Sequence, residues 1–138
     1  MDANLNRARE GLRVIEDTAR FVEGNSRAFK ELRAARHSLD KITRDIYPEL
    51  LKQRDSRSDE GRTIKEEGTR KGMSSLLGAN FRRVEESLRV LEEYGKLIAP
   101  GAAAVFKRLR FKAYALEKEF LVKDKTFLRS KREGGLKP

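Results

Sequence analysis

The sequence predicts an all-α fold: a four-helix bundle built from a duplicated helical hairpin, with a long polar loop between the two copies. An internal repeat and a helical period carry that reading. Residues 2–21 (DANLNRAREGLRVIEDTARF) and 78–97 (GANFRRVEESLRVLEEYGKL) align with eight identities in twenty positions. Ala3, Asn4, Arg7, Glu10, Leu12, Arg13, Val14 and Glu16 recur as Ala79, Asn80, Arg83, Glu86, Leu88, Arg89, Val90 and Glu92. The likeness continues from 28–41 to 105–118, at an offset of 77, with Phe, Lys, Leu, Arg, Leu and Lys shared. Self-similarity of this extent marks a repeated supersecondary unit. Apolar residues recur every three or four positions in four segments, and no stretch alternates as a strand does.

Leu5, Ala8, Leu12, Ile15, Ala19 and Val22 form the inner stripe of a first amphipathic helix. Asp2 is placed to cap its start, and Gly24-Asn25 to stop it. Ser26 is expected to cap a second helix with Phe29, Leu32, Ala35, Leu39, Ile42 and Ile46 inside. Pro48 disfavours helical geometry at Tyr47, so this helix is expected to end or kink there. The third helix has the cleanest register: Leu77, Phe81, Val84, Leu88, Leu91, Gly95 and Ile98. Pro100 suits the first turn of a fourth helix, which buries Phe106, Leu109, Ala113, Leu116 and Phe120. The chain thus divides into one helical domain over 1–121 (hairpin 2–51, loop 52–73, hairpin 74–121) and a basic tail over 122–138.

Composition narrows the chemistry. With no cysteine, disulfides and thiolate metal sites are excluded. His37 is the only histidine, which leaves little for a zinc site or a Ser/His/Asp triad; a half-buried structural role is expected for it. No apolar run approaches a membrane span, and MDANLNRARE does not read as a signal peptide, so a cytoplasmic protein is expected. The net charge of +10 suits an anionic partner, such as a phosphorylated metabolite, a nucleotide or a nucleic acid. Acids interleave with bases along the helices and aromatics are sparse, which ranks nucleic acid last.

A second strip runs beside each core seam. In the first helix it is Asn4, Arg7, Gly11, Val14, Thr18 and Phe21. In the third it is Asn80, Arg83, Ser87, Val90, Tyr94 and Leu97. Neither holds a lysine or glutamate, although a solvated face tolerates both. Asn reads the edge of a heterocycle, Arg forks onto a phosphate, and a mid-helix glycine suggests close approach of another group. Glu10 and Glu86, one turn from the arginines, are placed to orient them or to help hold Mg²⁺. Packing of the strips against other helices explains the same pattern. In the loop, Arg54, Asp55, Asp59 and Gly61 suit a phosphate and a metal; a solvated linker is the alternative.

These segments, with RDSRSDEG between them, resemble a small helical family tied to thiamine biosynthesis, the monofunctional hydroxymethylpyrimidine phosphate kinases. Its members often form the N-terminal part of thiamine phosphate synthase polypeptides. The resemblance spans about residues 2–121 and implies ATP-dependent phosphorylation of hydroxymethylpyrimidine phosphate to its diphosphate. It implies ATP and Mg²⁺ as cofactors, with the phosphorylated pyrimidine as substrate. On that reading Arg7 and Arg83 are catalytic. Asn4, Gly11, Asn80, Ser87, Arg54 and Gly61 bind substrate or ATP, and Asp55, Asp59, Glu10 and Glu86 hold the metal. The acceptor phosphate is already largely ionised, so no general base is required. A non-catalytic module that binds or regulates thiamine phosphate synthase is the alternative, and the strips also leave room for a homodimer.

Overall fold

The computed structural model describes residues 1–53 and 69–123, and over these it is helical with no strand. Helix α1 (Asp2–Asp17) runs into a π-helical turn at Thr18–Val22, followed by α2 (Ser26–Gln53), α3 (Met73–Ile98) and α4 (Pro100–Lys123). The loop residues Arg54, Asp55, Asp59 and Gly61 and the tail from 124 onward lie outside the described residues.

Side-chain pairs fix the helix directions. Glu16 meets Arg36 and Arg9 meets Asp40, so α1 and α2 run antiparallel. Glu92 meets Arg110 and Phe81 meets Phe120, so α3 and α4 do too. Arg27 reaches Glu119 while Glu31 reaches Lys112, which sets α2 antiparallel to α4. It follows that α1 and α3 are antiparallel. The strongest packing is α3 on α4, then α1 on α3, then α1 on α2, with α2 on α4 the loosest. One continuous core fills the centre, with Leu5, Ile15, Leu32, Leu39, Phe81, Leu88, Leu91 and Phe106 fully buried.

The predicted stripes of α3 and α4 are buried as expected, apart from the half-buried Ile98 at the end of α3, and Pro100 opens α4. Five local expectations need correction. Met1, not Asp2, stands at the N-cap of α1; Asp2 is its first residue, where a negative charge favours the helix dipole. Asn25, not Ser26, caps α2 by accepting a hydrogen bond from the Ala28 amide at 3.1 Å. Helix α2 does not stop at Tyr47, because Ile46 and Leu50 continue its buried stripe on either side of an exposed Pro48. Val22 is exposed rather than inside, because the wider π-turn advances the register after Ala19. His37 is also exposed.

Candidate anion-binding cleft on the α1–α3 seam

The two strips meet where α1 crosses α3. A Cβ at Gly11 would stand 2.7 Å from Cγ2 of Val84 and 3.3 Å from the Asn80 carbonyl oxygen. What approaches Gly11 is therefore the neighbouring helix, and the glycine is buried beneath it. Three polar members of the strips bond to their own helices. The Thr18 hydroxyl donates to the Val14 carbonyl at 2.8 Å, and Ser87 to that of Arg83 at 2.6 Å. Asn80 Nδ2 donates to the Leu76 carbonyl at 2.8 Å. At the far ends the strips splay outward, leaving Phe21 70% and Leu97 81% exposed.

Where the strips cross, charge concentrates. Arg7 from α1 joins Ala79, Arg82, Arg83 and Glu86 of α3 around an open cavity of about 290 Å³. Arg7 is exposed and Arg83 half-buried. Three guanidinium groups face one carboxylate, so the lining is cationic and offers the planar donor forks that match phosphate oxygens. The structure thus brings Arg7, Arg83 and Glu86 together. It does not place Asn4, Gly11, Asn80, Ser87 or Glu10 on the lining of this cavity. Among the described residues no three His, Cys, Asp or Glu side chains come close enough to hold a metal, and none is assigned to Glu10 or Glu86.

Sequence reasoning missed Arg82. It aligns with Asn6 in the first copy, so a search for shared residues passes over it. The adjacent pair Arg82-Arg83 was the available signal. Arg82 and Glu86 sit on a crest of α3 and also line a second hollow, with Glu85, Arg89, Val90 and Tyr114. Glu85 is nearly buried there, 6% exposed, and the carboxyl of Glu117 on α4 lies near it. Burial, then the neighbouring Glu117 and its charge, push the Glu85 carboxyl up to about 8, while Arg82 pulls the other way.

Two further ion pairs brace the hairpins. Glu16, buried, receives bonds from Arg36 Nε at 2.6 Å and Nη2 at 3.2 Å. Glu92, equally buried, receives Arg110 Nε at 3.1 Å and Nη2 at 2.9 Å. The Arg36 guanidinium is held protonated chiefly by the hydrogen bond to Glu16. For Arg110 the Tyr114 hydroxyl acts first, and Glu92 adds to it.

Residues 1–119 match the model of the ThiD2 family. The chain belongs to the ThiD2 family. It is 45% identical over 123 residues to a thiamine-phosphate synthase of Nostoc punctiforme, covering 88% of this chain and 34% of that protein. A thiamine-phosphate synthase of Synechocystis is 46% identical over 123 residues, covering 88% and 35%. One from Gloeobacter violaceus is 40% identical over 119 residues, covering 85% and 34%. The chain thus spans about a third of the length of these relatives. No solved structure matches it. These relatives of the ThiD2 chain are named for the synthase and not for a kinase, which overturns the expected hydroxymethylpyrimidine phosphate kinase activity. No helix among the described residues is long and apolar enough to cross a membrane.

Proposed function

We propose that this chain is a helical module that serves thiamine-phosphate synthase, binding a phosphate-bearing small molecule of that enzyme's chemistry in the Arg7–Arg82–Arg83 cleft. The observation that carries the association is the match itself: nearly the whole chain aligns with one third of proteins named thiamine-phosphate synthase. The cationic cleft supports the ligand class. Thiamine phosphate and a phosphorylated pyrimidine both present a dianionic group for paired guanidiniums. The expected ATP and Mg²⁺ came with the kinase reading and are not carried forward. The module is also read as a duplicated hairpin. Equivalent glutamates, Glu16 and Glu92, each receive an arginine from the following helix, which supports that origin.

The test pairs two measurements. The chain is mixed with purified thiamine-phosphate synthase from the same source, and complex formation is followed by size-exclusion chromatography with light scattering. Binding of thiamine phosphate is measured in parallel by calorimetry. A complex, together with ligand binding that Arg7→Ala and Arg83→Ala each weaken tenfold or more, is the expected result. Absence of a complex, with no change in the synthase's KM or kcat when the chain is added, overturns the association.

A further inference from the structure

The two halves of the chain treat one aligned position in opposite ways. In the first, Arg9 on α1 pairs with Asp40 on α2, Nε to Oδ1, at 2.7 Å. The aligned residues of the second half are Glu85 on α3 and Glu117 on α4. An ion pair has become two neighbouring carboxyls. A carboxylate buried beside a second carboxyl, without a hydrogen-bond donor, is disfavoured in its charged form, so the proton stays on Glu85. Oε2 of each is buried and, among the described residues, has no hydrogen-bond partner. The cation that would neutralise the pair is one turn away at Arg82, where the first half has Asn6.

Arg82 is also a wall of the anion cleft. The charged and titratable groups around Glu85 are Arg82, Glu86 and Arg89 of α3 and Glu117 and Tyr114 of α4. From α1, Arg7 lines the same cleft as Arg82 and Glu86. Arg82 is therefore shared between two demands. We propose that Glu85 keeps a proton beside Glu117, and that this proton decides how much of Arg82's charge is available to an anion in the cleft. With the proton in place, Glu85 is neutral and the cleft keeps three guanidiniums against the single carboxylate of Glu86. When the proton leaves, Glu85 becomes a second carboxylate beside Arg82 and cancels it. Anion binding and proton uptake then reinforce each other, and the coupling is reciprocal. Glu85 acts as a positioning residue for Arg82 and does not touch the ligand. The coupling rests on the reading of the cleft as an anion site.

The test uses inorganic sulfate, whose charge does not change between pH 6.5 and 9, so that only the protein titrates. Sulfate affinity of the full chain is measured by NMR titration at both pH values, for the wild type and for Glu85→Gln. The wild type is expected to bind at least about fivefold more weakly at pH 9. Glu85→Gln is expected to bind equally at both, near the wild type's value at pH 6.5. A parallel loss in wild type and variant overturns the coupling while leaving the anion cleft in place. No sulfate binding by the wild type at either pH overturns the cleft, and the coupling with it. Should Glu85→Gln fail to fold by circular dichroism, Glu117→Gln provides the second measurement. Removing the neighbouring charge lowers the pH at which Glu85 ionises, and the sulfate transition is expected to move down by about one pH unit. An unmoved transition overturns the proposal.

Discussion

The α1–α2 and α3–α4 hairpins use the same anchor and differ beside it. Both bury a glutamate one turn before the end of the core seam, Glu16 and Glu92, and both satisfy it with a forked arginine from the next helix. The arginines are not at aligned positions. Arg110 aligns with Arg33, yet Arg36, nearly one turn further on, is the partner of Glu16. The fold preserves the buried carboxylate and its neutralisation rather than the residue that supplies it. Two turns away the halves part, with Arg9–Asp40 in one and Glu85–Glu117 in the other. A conserved brace beside an altered charge pair separates what holds the bundle from what distinguishes its second half.

The largest effects should come from breaking the shared anchor. Glu16→Ala leaves the half-buried Arg36 without its carboxylate, and Glu92→Ala does the same to Arg110. Each is expected to cost about 3 kcal/mol in urea unfolding. Near-equal losses would confirm that the two braces are equivalent. A loss confined to one would show that the halves differ in their framework as well as in their surface.

Next comes the crossing of α1 and α3. Alanine is ordinarily a better helix former than glycine by ~1 kcal/mol. At Gly11, however, the added methyl meets a stiff valine branch at 2.7 Å, so the helices must part. Gly11→Ala is expected to destabilise by about 1–2 kcal/mol. The aligned Ser87→Ala loses only a bond to its own backbone and should stay within about 1 kcal/mol. Thermal midpoints of the two variants read the contrast directly.

Exchanging the altered pair for its counterpart sharpens the comparison further. Glu85→Arg gives the second half the arginine–carboxylate pair of the first. A carboxyl pushed up to about 8 in the fold binds more protons natively than when unfolded between its ordinary value and 8. Its contribution is therefore fully present at acid pH and is lost as pH rises through about 8. Wild-type stability should fall over that window, and Glu85→Arg should flatten the fall, gaining about 1 kcal/mol at pH 9. Denaturation midpoints from pH 5 to 9 test the slope. An unchanged slope would place the titration elsewhere.

Much of this architecture could be read from the chain. The stripes of α3 and α4 are uninterrupted, so periodicity alone located them. Gly11 was conspicuous as a mid-helix glycine, but its cause is Val84, a residue of the other copy that no local pattern identifies. Glu16 belongs to neither strip of α1, and its partner lies twenty positions away, beyond the reach of any local pattern. Val22 was misplaced because a π-turn leaves no mark in a count of three and four. The site shows the same limit from another side. Matching the copies brought out Arg7 and Arg83, which are alike, and concealed Arg82 and Glu85, which are where the copies differ. The kinase expectation came from resemblance and fell to the relatives' names, not to any feature of the fold.

The smallest expected effect lies on the outer face, where the halves again offer a matched pair. Arg13 bonds Asp17 at 3.4 Å, and the aligned Arg89 bonds Glu93 at 3.1 Å and approaches Glu92 at 3.6 Å. Arg13 and Asp17 side chains are 59% and 46% exposed, so solvent screens their attraction and the long side chains lose freedom in making it. Arg13→Ala should change stability by no more than ~0.5 kcal/mol, an effect that fades in high salt. Arg89 differs in one respect: Glu92 is a buried anchor already neutralised by Arg110. If Arg89 supports that anchor, Arg89→Ala should exceed Arg13→Ala by a margin that persists in 0.5 M salt, because a buried carboxylate is screened little. Equal, salt-sensitive losses would instead make Arg110 sufficient for Glu92 and leave Arg89 a surface residue like its counterpart.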